Sequence, residues 1–241
     1  MLAFTLKEEL APWRSRHRFH RISNSQFNVS VTSFGATEVL ASLTGVGGLG
    51  VHGFNDLLAQ FTPTLGMVTG VAAGLRPEWR PGDLLAAKSV CAPDSLERIP
   101  GDPALIDLAA QCGAKPAPAL VTLPHIARTV AEKTRLASLG DAADMESFGL
   151  VKQWSARGIP SLALRVILDP VEMPMTCDFE AALDAHGQVR VTKILAQLAR
   201  RPKLLPDFFR LARQSRRVLM SLARFLDRFF EALDHHTVEI R

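Results

Sequence analysis

From the start to about residue 195, short apolar runs alternate with stretches in which apolar side chains recur every three or four positions. The pattern predicts strands near 1–6, 26–33, 38–45, 65–71, 83–89, 117–122, 142–146 and 161–168, and helices near 51–61, 103–112, 126–139, 147–157 and 188–199. That order is the signature of an α/β protein with helices laid over a sheet. QFNVSVTSFG alternates apolar and polar and predicts one half of an antiparallel pair, whereas SLALRVIL at 161–168 is almost continuously apolar and predicts a strand covered on both faces. A mixed sheet follows. Gly158 and Pro160 bracket the turn into that last strand, one able to take a left-handed cap and the other unable to continue a helix. Residues 57–75 lack charge for long enough to suggest a membrane span, but Gln60, Pro63 and three glycines suit a strand with flanking turns better.

Beyond Pro202 and Pro206 the pattern changes. Phe208, Leu211, Val218, Leu219, Leu222, Phe225, Leu226, Phe229, Phe230 and Leu233 recur at mostly three- and four-residue spacing, a strongly amphipathic helix with arginines opposite. Two domains are expected, an α/β body at 1–200 and a basic helical tail at 201–241. The tail suits first a core-covering or subunit-packing helix, and second a helix lying on an anionic membrane surface through residues 204–234.

Composition narrows this picture a little. At 241 residues and 47% hydrophobic, the chain can bury one substantial core. Three scattered cysteines, Cys91, Cys112 and Cys177, read as thiols of a reducing compartment rather than a disulfide framework. The first residues carry acids within an interrupted apolar run, so no secretory signal is expected and a cytoplasmic protein is, with the inner membrane surface as a peripheral site. The net charge of +4 belongs mainly to the tail. Nucleic acid is not an expected partner, since no aromatic platform or recognition fold accompanies the arginines.

Candidate chemistry lies at four places. GVGGLG, Gly45 to Gly50, satisfies a dinucleotide-turn pattern, but no acid follows about twenty residues later to hold a ribose; it reads as a strand-to-helix turn or as a turn approaching a phosphate or ribose. GVAAGLRPEWRPGDL, from Gly70, offers small residues that let backbone approach a flat ligand. Asp144 and Glu146 flank a methionine just before a helix. Arg165 lies inside the most apolar strand and Asp169 at its carboxyl end, where ligands of open α/β sheets sit. An Arg165–carboxylate pair of purely structural purpose is the competing reading.

Taken in order, TGVGGLG, TGVAAGLRPEWRPGDLL, DMESFGLV and GIPSLALRVILD resemble the motifs of the purine nucleoside phosphorylase and methylthioadenosine/S-adenosylhomocysteine nucleosidase superfamily over about residues 1–195. Within it, AEKTRLASLGDAADMES and the basic tail look most like the hopanoid-associated nucleoside phosphorylases, which are thought to remove adenine from an adenosyl-hopane intermediate. The resemblance implies a three-layer α-β-α sandwich and cleavage of the N-glycosidic bond of an adenine nucleoside. It implies Asp169 as the acid that protonates purine N7, Glu146 on the ribose hydroxyls, Met145 against the sugar, Arg165 orienting Glu146, and the turns at Gly47 and at Gly70, Val71 and Ala72 approaching the substrate. Glu9 falls where the hydrolases hold their attacking water, and Asp144 reads as a supporting carboxylate.

Departures leave the nucleophile open between water and inorganic phosphate. Leu168 and Val71 stand where serines are common, and the phosphate-binding arginine that often precedes the Gly70 turn is missing, unless Arg76, Arg80 or a neighbouring subunit's arginine replaces it. No metal or organic cofactor is implied, and a homo-oligomer is expected because subunits of the family commonly complete one another's sites. The alternatives are a methylthioadenosine/S-adenosylhomocysteine nucleosidase, a general purine nucleoside phosphorylase, or a non-enzymatic membrane- or partner-binding protein on a decayed nucleosidase fold.

Overall fold

The structure, a computed structural model, describes residues 1–22, 28–46, 48–184, 187 and 189–239. In chain order its elements are β1 (Leu2–Phe4), α1 (Lys7–Arg14), β2 (His20–Arg21), β3 (Val29–Phe34), β4 (Thr37–Leu43), α2 (Gly48–Gln60), β5 (Gly66–Gly74), β6 (Leu84–Ala87), β7 (Ser89–Cys91), β8 (Arg98–Pro100) and α3 (Pro103–Gln111). There follow β9 (Lys115–Ala117), β10 (Leu120–Thr122), α4 (Val130–Leu136), β11 (Ala142–Asp144), α5 (Ser147–Ser155), β12 (Ser161–Asp169), α6 (Val191–Arg200), a single 3-10 turn and α7 (Leu205–Glu239). The strands form one mixed sheet flanked by helices, the expected α/β sandwich with a long C-terminal helix.

β5 and β12 are the axis of that sheet. They run parallel from Ser161 beside Gly66 to Arg165 beside Gly70, and the register slips by one residue between Ile167 and Asp169. All nine residues of β12 are buried, as its continuous apolar run predicts. The other edge of β5 changes partner along its length. It pairs with β1 through Met67, Val68 and Thr69, then with β11 through Ala73 and Gly74. Residues 70–72 therefore face a gap in that edge, and the amide of Val71 is satisfied by a side chain instead of a strand.

The expected strand at 83–89 is two strands that meet at Lys88, β6 pairing with β12 and β9 and β7 with β10 and β8. The strand expected at 117–122 divides around Pro118, which has no amide to give. The helix expected at 126–139 is confined to Val130–Leu136, started by Thr129, whose hydroxyl accepts the Glu132 amide at 3.1 Å. Gly158 takes φ +67°, the left-handed cap expected of it. Cys91 and Cys177 are buried and Cys112 is half-buried, all three as thiols. Among the described residues no helix is long and apolar enough to cross a membrane.

α7 carries the amphipathic pattern of the tail, and its apolar face is spent on the core. Leu222, Phe225, Leu226 and Phe229 lie in one cluster with Leu2, Phe4, Trp13 and Leu164, and the helix packs on α1, α3 and β12. Trp13 is its counterpart on α1, stacked on Phe34 at 5.8 Å and on Phe230 at 5.6 Å between ring centroids. A polar staple fixes the two helices in register. Asp227 accepts from Trp13 Nε1 at 2.9 Å and from Arg16 Nε at 2.8 Å, and its Oδ1 lies 2.7 Å from His17 Nε2.

Burial pushes the Asp227 carboxyl up, but the hydrogen bonds from His17, Arg16 and Trp13 outweigh it and hold the group below its ordinary value. Its stabilising effect is therefore complete at neutral pH and is lost as pH falls through that lowered value. Asp227→Ala leaves the indole N–H of Trp13 buried without its partner and should cost about 2–3 kcal/mol at pH 7. In urea melts the gap between variant and wild type should close as the pH is lowered.

Candidate active site

The carboxyl ends of β1, β11 and β12 converge on residues 71–73 of β5, β11 running antiparallel to it, and a cavity of about 380 Å3 opens there. Its polar end is lined by Thr5, Glu9, Asp144, Glu146 and Asp169, together with Val71, Ala72 and Met145. The far end is apolar, closed by Phe179, Leu183, Ile194, Phe208, Leu211 and Leu219 from the 170–190 segment, α6 and α7. This size lies within the range of about 300–1,000 Å3 usual for small-molecule sites.

Arg165 organises the acids from behind. Its guanidinium is 1% exposed, with Nη2 at 2.6 Å from Asp144 Oδ2 and 3.5 Å from Glu146 Oε2, and it donates to Ser147 Oγ at 3.1 and 3.3 Å. Burial works against its charge, yet Asp144, Glu146 and Glu9 more than reverse that and raise its pKa, so it stays a cation. Asp144 spends its other oxygen on Thr122 Oγ1 at 2.7 Å and on the Ser147 amide at 3.3 Å, at the start of α5. Glu146 accepts from Thr5 Oγ1 at 3.0 Å. Of the two carboxylates around Met145, Asp144 is thus the closer partner of Arg165, and Glu146 is held between Thr5, just after β1, and the guanidinium.

Glu9 comes from α1 and fills the gap in the β5 edge. Oε1 accepts the Val71 amide at 2.9 Å, and Oε2 accepts the amides of Thr5 at 3.1 Å and Leu6 at 2.9 Å. Burial pushes its carboxyl up, with Arg165 and these three amides offsetting part of the rise. The approach needs a glycine opposite. At Gly70, φ +149°, a Cβ would lie 2.4 Å from Glu9 Oε1 and 2.7 Å from Arg165 Nη1.

Asp169 ends β12 beyond the register slip and is 3% exposed. Burial raises its pKa to about 6, against the charge and hydrogen bond of Lys133. Lys133, fully buried on α4, donates to Asp169 Oδ2, to Pro170 O at 3.1 Å and to Met173 O at 2.8 Å.

The profile of the Phosphorylase superfamily matches residues 5–200, most of the chain and every residue named at the polar end of the cavity. The chain belongs to the Phosphorylase superfamily. No curated protein sequence matches significantly. Among solved structures, the 5′-methylthioadenosine/S-adenosylhomocysteine nucleosidase of Campylobacter jejuni is similar at TM-score 0.72 and 16% identity over 95% of this chain and 98% of that one. The corresponding Helicobacter pylori nucleosidase gives 0.72 and 15% over 95% of both chains. Helicobacter pylori futalosine hydrolase, as a mutant, gives 0.69 and 15% over 95% and 97%. At such identities the likeness is one of fold.

Within this superfamily member, Glu9, Val71, Ala72, Met145, Glu146 and Asp169 line one cavity, while Gly70 and Arg165 stand behind it and Gly47 lies outside the described residues. Arg76 does not reach the cavity: its Nε is 3.1 Å from Asp141 Oδ1 and its Nη2 donates to Ala137 O. Arg80 does not line it either. Lys133 was not expected, since a lysine in AEKTRL reads as a solvated helix position; its one signal is spacing, three residues before the buried Leu136. Among the described residues no group of three or more His, Cys, Asp or Glu is placed to hold a metal ion.

Arg165→Met would leave Asp144 and Glu146 buried without their cation. The loss should be about 3–5 kcal/mol, the usual cost of breaking a buried pair, read as a lowered urea midpoint or as failure to fold.

Proposed function

We propose that this chain hydrolyses the N-glycosidic bond of an adenine nucleoside bearing a large apolar 5′-substituent. The observation that carries the reading is that Glu9, Glu146 and Asp169 surround the polar end of one cavity whose other end is apolar. Cleavage of such a bond passes through an oxocarbenium-like sugar, so it is helped by a proton delivered to the leaving base and by negative charge beside the ribose. Asp169, with a pKa near 6, supplies the proton to N7. Glu146, turned into the cavity from the start of α5, takes the ribose hydroxyls, with Met145 against the ring. Glu9 receives the proton of the attacking water as that oxygen bonds to C1′.

Water is favoured over phosphate because the described residues lining the cavity include no arginine or lysine, and capture of phosphate needs cationic or multiple donors. Support for the substrate class also comes from the nucleosidase of Helicobacter pylori, which has been solved as a mutant with 5′-methylthioadenosine in its active site. In its finer form the reading assigns a lipid-linked, hopane-like substituent and a step in hopanoid biosynthesis. The apolar end of the cavity and the motif resemblance at 131–147 support it. Val191, Leu195 and Phe209 are exposed apolar residues on α6 and α7, and Arg210, Arg213 and Arg217 are exposed on α7; peripheral contact with an anionic membrane would use them.

Release of free adenine from 5′-alkylthioadenosines, with and without phosphate, tests the reaction. kcat/KM should rise with alkyl length and be indifferent to phosphate. A fall with length would favour a methylthioadenosine-type nucleosidase, and absence of adenine from every adenosyl substrate would leave only the non-enzymatic reading. Asp169→Asn should lose at least about a hundredfold in kcat, within the range general acids contribute. Because the acid must be protonated, wild-type kcat/KM should decline as pH rises through about 6. Arg213→Glu with Arg217→Glu should abolish binding to anionic liposomes, with activity on soluble substrates retained.

A further inference from the structure

Lys133 has no part in the reaction just described, yet it has no exposure at all and lies against the proposed acid. An ammonium is costly to bury unless a counter-charge is at hand and its N–H groups are taken. Here Asp169 Oδ2, Pro170 O and Met173 O take them, three acceptors for the three donors of one ammonium. The nitrogen has no lone pair and no hydrogen left over. A proton on Oδ2 would point at a nitrogen that can only donate, so the protonated form of Asp169 carries its hydrogen on Oδ1.

From this geometry we propose that Lys133 is the positioning residue of the leaving-group acid: it reserves Oδ2 of Asp169 as an acceptor, directs the acid proton to Oδ1, and holds the carboxylate that remains once the proton has left. The inference rests on the hydrolase reading above. In the step itself, the Oδ1–H bond breaks and an N7–H bond forms. The electron pair of the C1′–N9 bond departs with the purine, and the pair of the O–H bond stays on Asp169, facing the Lys133 charge. Two cations thus divide the site, Lys133 serving Asp169 and Arg165 serving Asp144, Glu146 and Glu9. Lys133 also ties the end of β12 to the turn at 170–173, so a structural role has to be separated from a positioning one.

Two substrates separate them. A 5′-alkylthioadenosine needs its N7 protonated; the same nucleoside methylated at N7 already carries the positive charge, and its base leaves without help from Oδ1. Lys133→Met should lose about tenfold or more in kcat on the first, within the general-acid range, and stay within about twofold of wild type on the second. Without the ammonium, Asp169 holds its proton to higher pH, so the basic limb of kcat/KM should move upward in Lys133→Met and return toward wild type in Lys133→Arg. Equal loss on both substrates, or an unmoved limb, overturns the inference. If Lys133→Met does not fold, the comparison moves to Asp169→Asn with and without Lys133→Met, a pair that removes both charges together. There the second substitution should add no loss on the unmethylated substrate, and any further loss of about tenfold overturns the proposal. Wild type releasing adenine from neither substrate would sink the hydrolase reading and this inference with it; wild type active with equal losses would sink this inference alone.

Discussion

The buried guanidinium of Arg165 is the constraint on which the rest of the site depends. Two carboxylates, Asp144 and Glu146, share its Nη2 at 2.6 and 3.5 Å, and Glu9 approaches it across Gly70. Without that charge Asp144 and Glu146 would be buried without the cation they share. The guanidinium in turn is tolerable in the most apolar strand of the chain only because the carboxylates surround it. Each of the four residues comes from a different element or element end, α1, β11, the start of α5, and β12, so one ionic cluster sets the relative positions of four segments.

A second constraint acts through the sheet. β5 hands its outer edge from β1 to β11, and the three residues between are left without a strand partner. Glu9 enters there, so an irregularity in the ladder and a side chain of the site are the same feature. On the opposite edge, the register slip between Ile167 and Asp169 places the acid past the end of regular pairing with β5. Irregular pairing on both edges, rather than in loops remote from the sheet, brings the carboxyls together.

Much of this was legible in the residues. The continuous apolar run at 161–168 announced a buried strand, and charges at Arg165 and Asp169 within or beside it announced a use for them. The paired acids around Met145 and the glycine at position 70 were equally visible. A carboxylate partner for Arg165 was also readable, but not which one. Asp144 read as a supporting acid, and its distance to Arg165, shorter than that of Glu146, is a fact of geometry with no trace in spacing. Lys133 was hidden for a related reason: lysine on a short amphipathic helix is ordinarily solvated, and only the fold reveals that its neighbours are Asp169 and two carbonyls. The tail was ambiguous because an apolar helical face looks the same whether lipid or protein covers it; Trp13, Phe34 and Phe230 show that much of this one is covered from within.

Counting the buried charges gives the cavity a character that no single pair reveals. Four carboxyls, Glu9, Asp144, Glu146 and Asp169, face two cations, Arg165 and Lys133, and both cations stand behind the acids rather than in the open space. With every acid ionised the walls hold a surplus of negative charge in poorly hydrated surroundings, where it is weakly screened. Burial raises the pKa values of Glu9 and Asp169, since in such surroundings a charged carboxyl is poorly solvated, and uptake of a proton reduces the surplus. A guest that becomes positive relieves it equally well. The cavity is therefore an electrostatic well for cations, and it attracts most strongly a guest that gains positive charge between those acids.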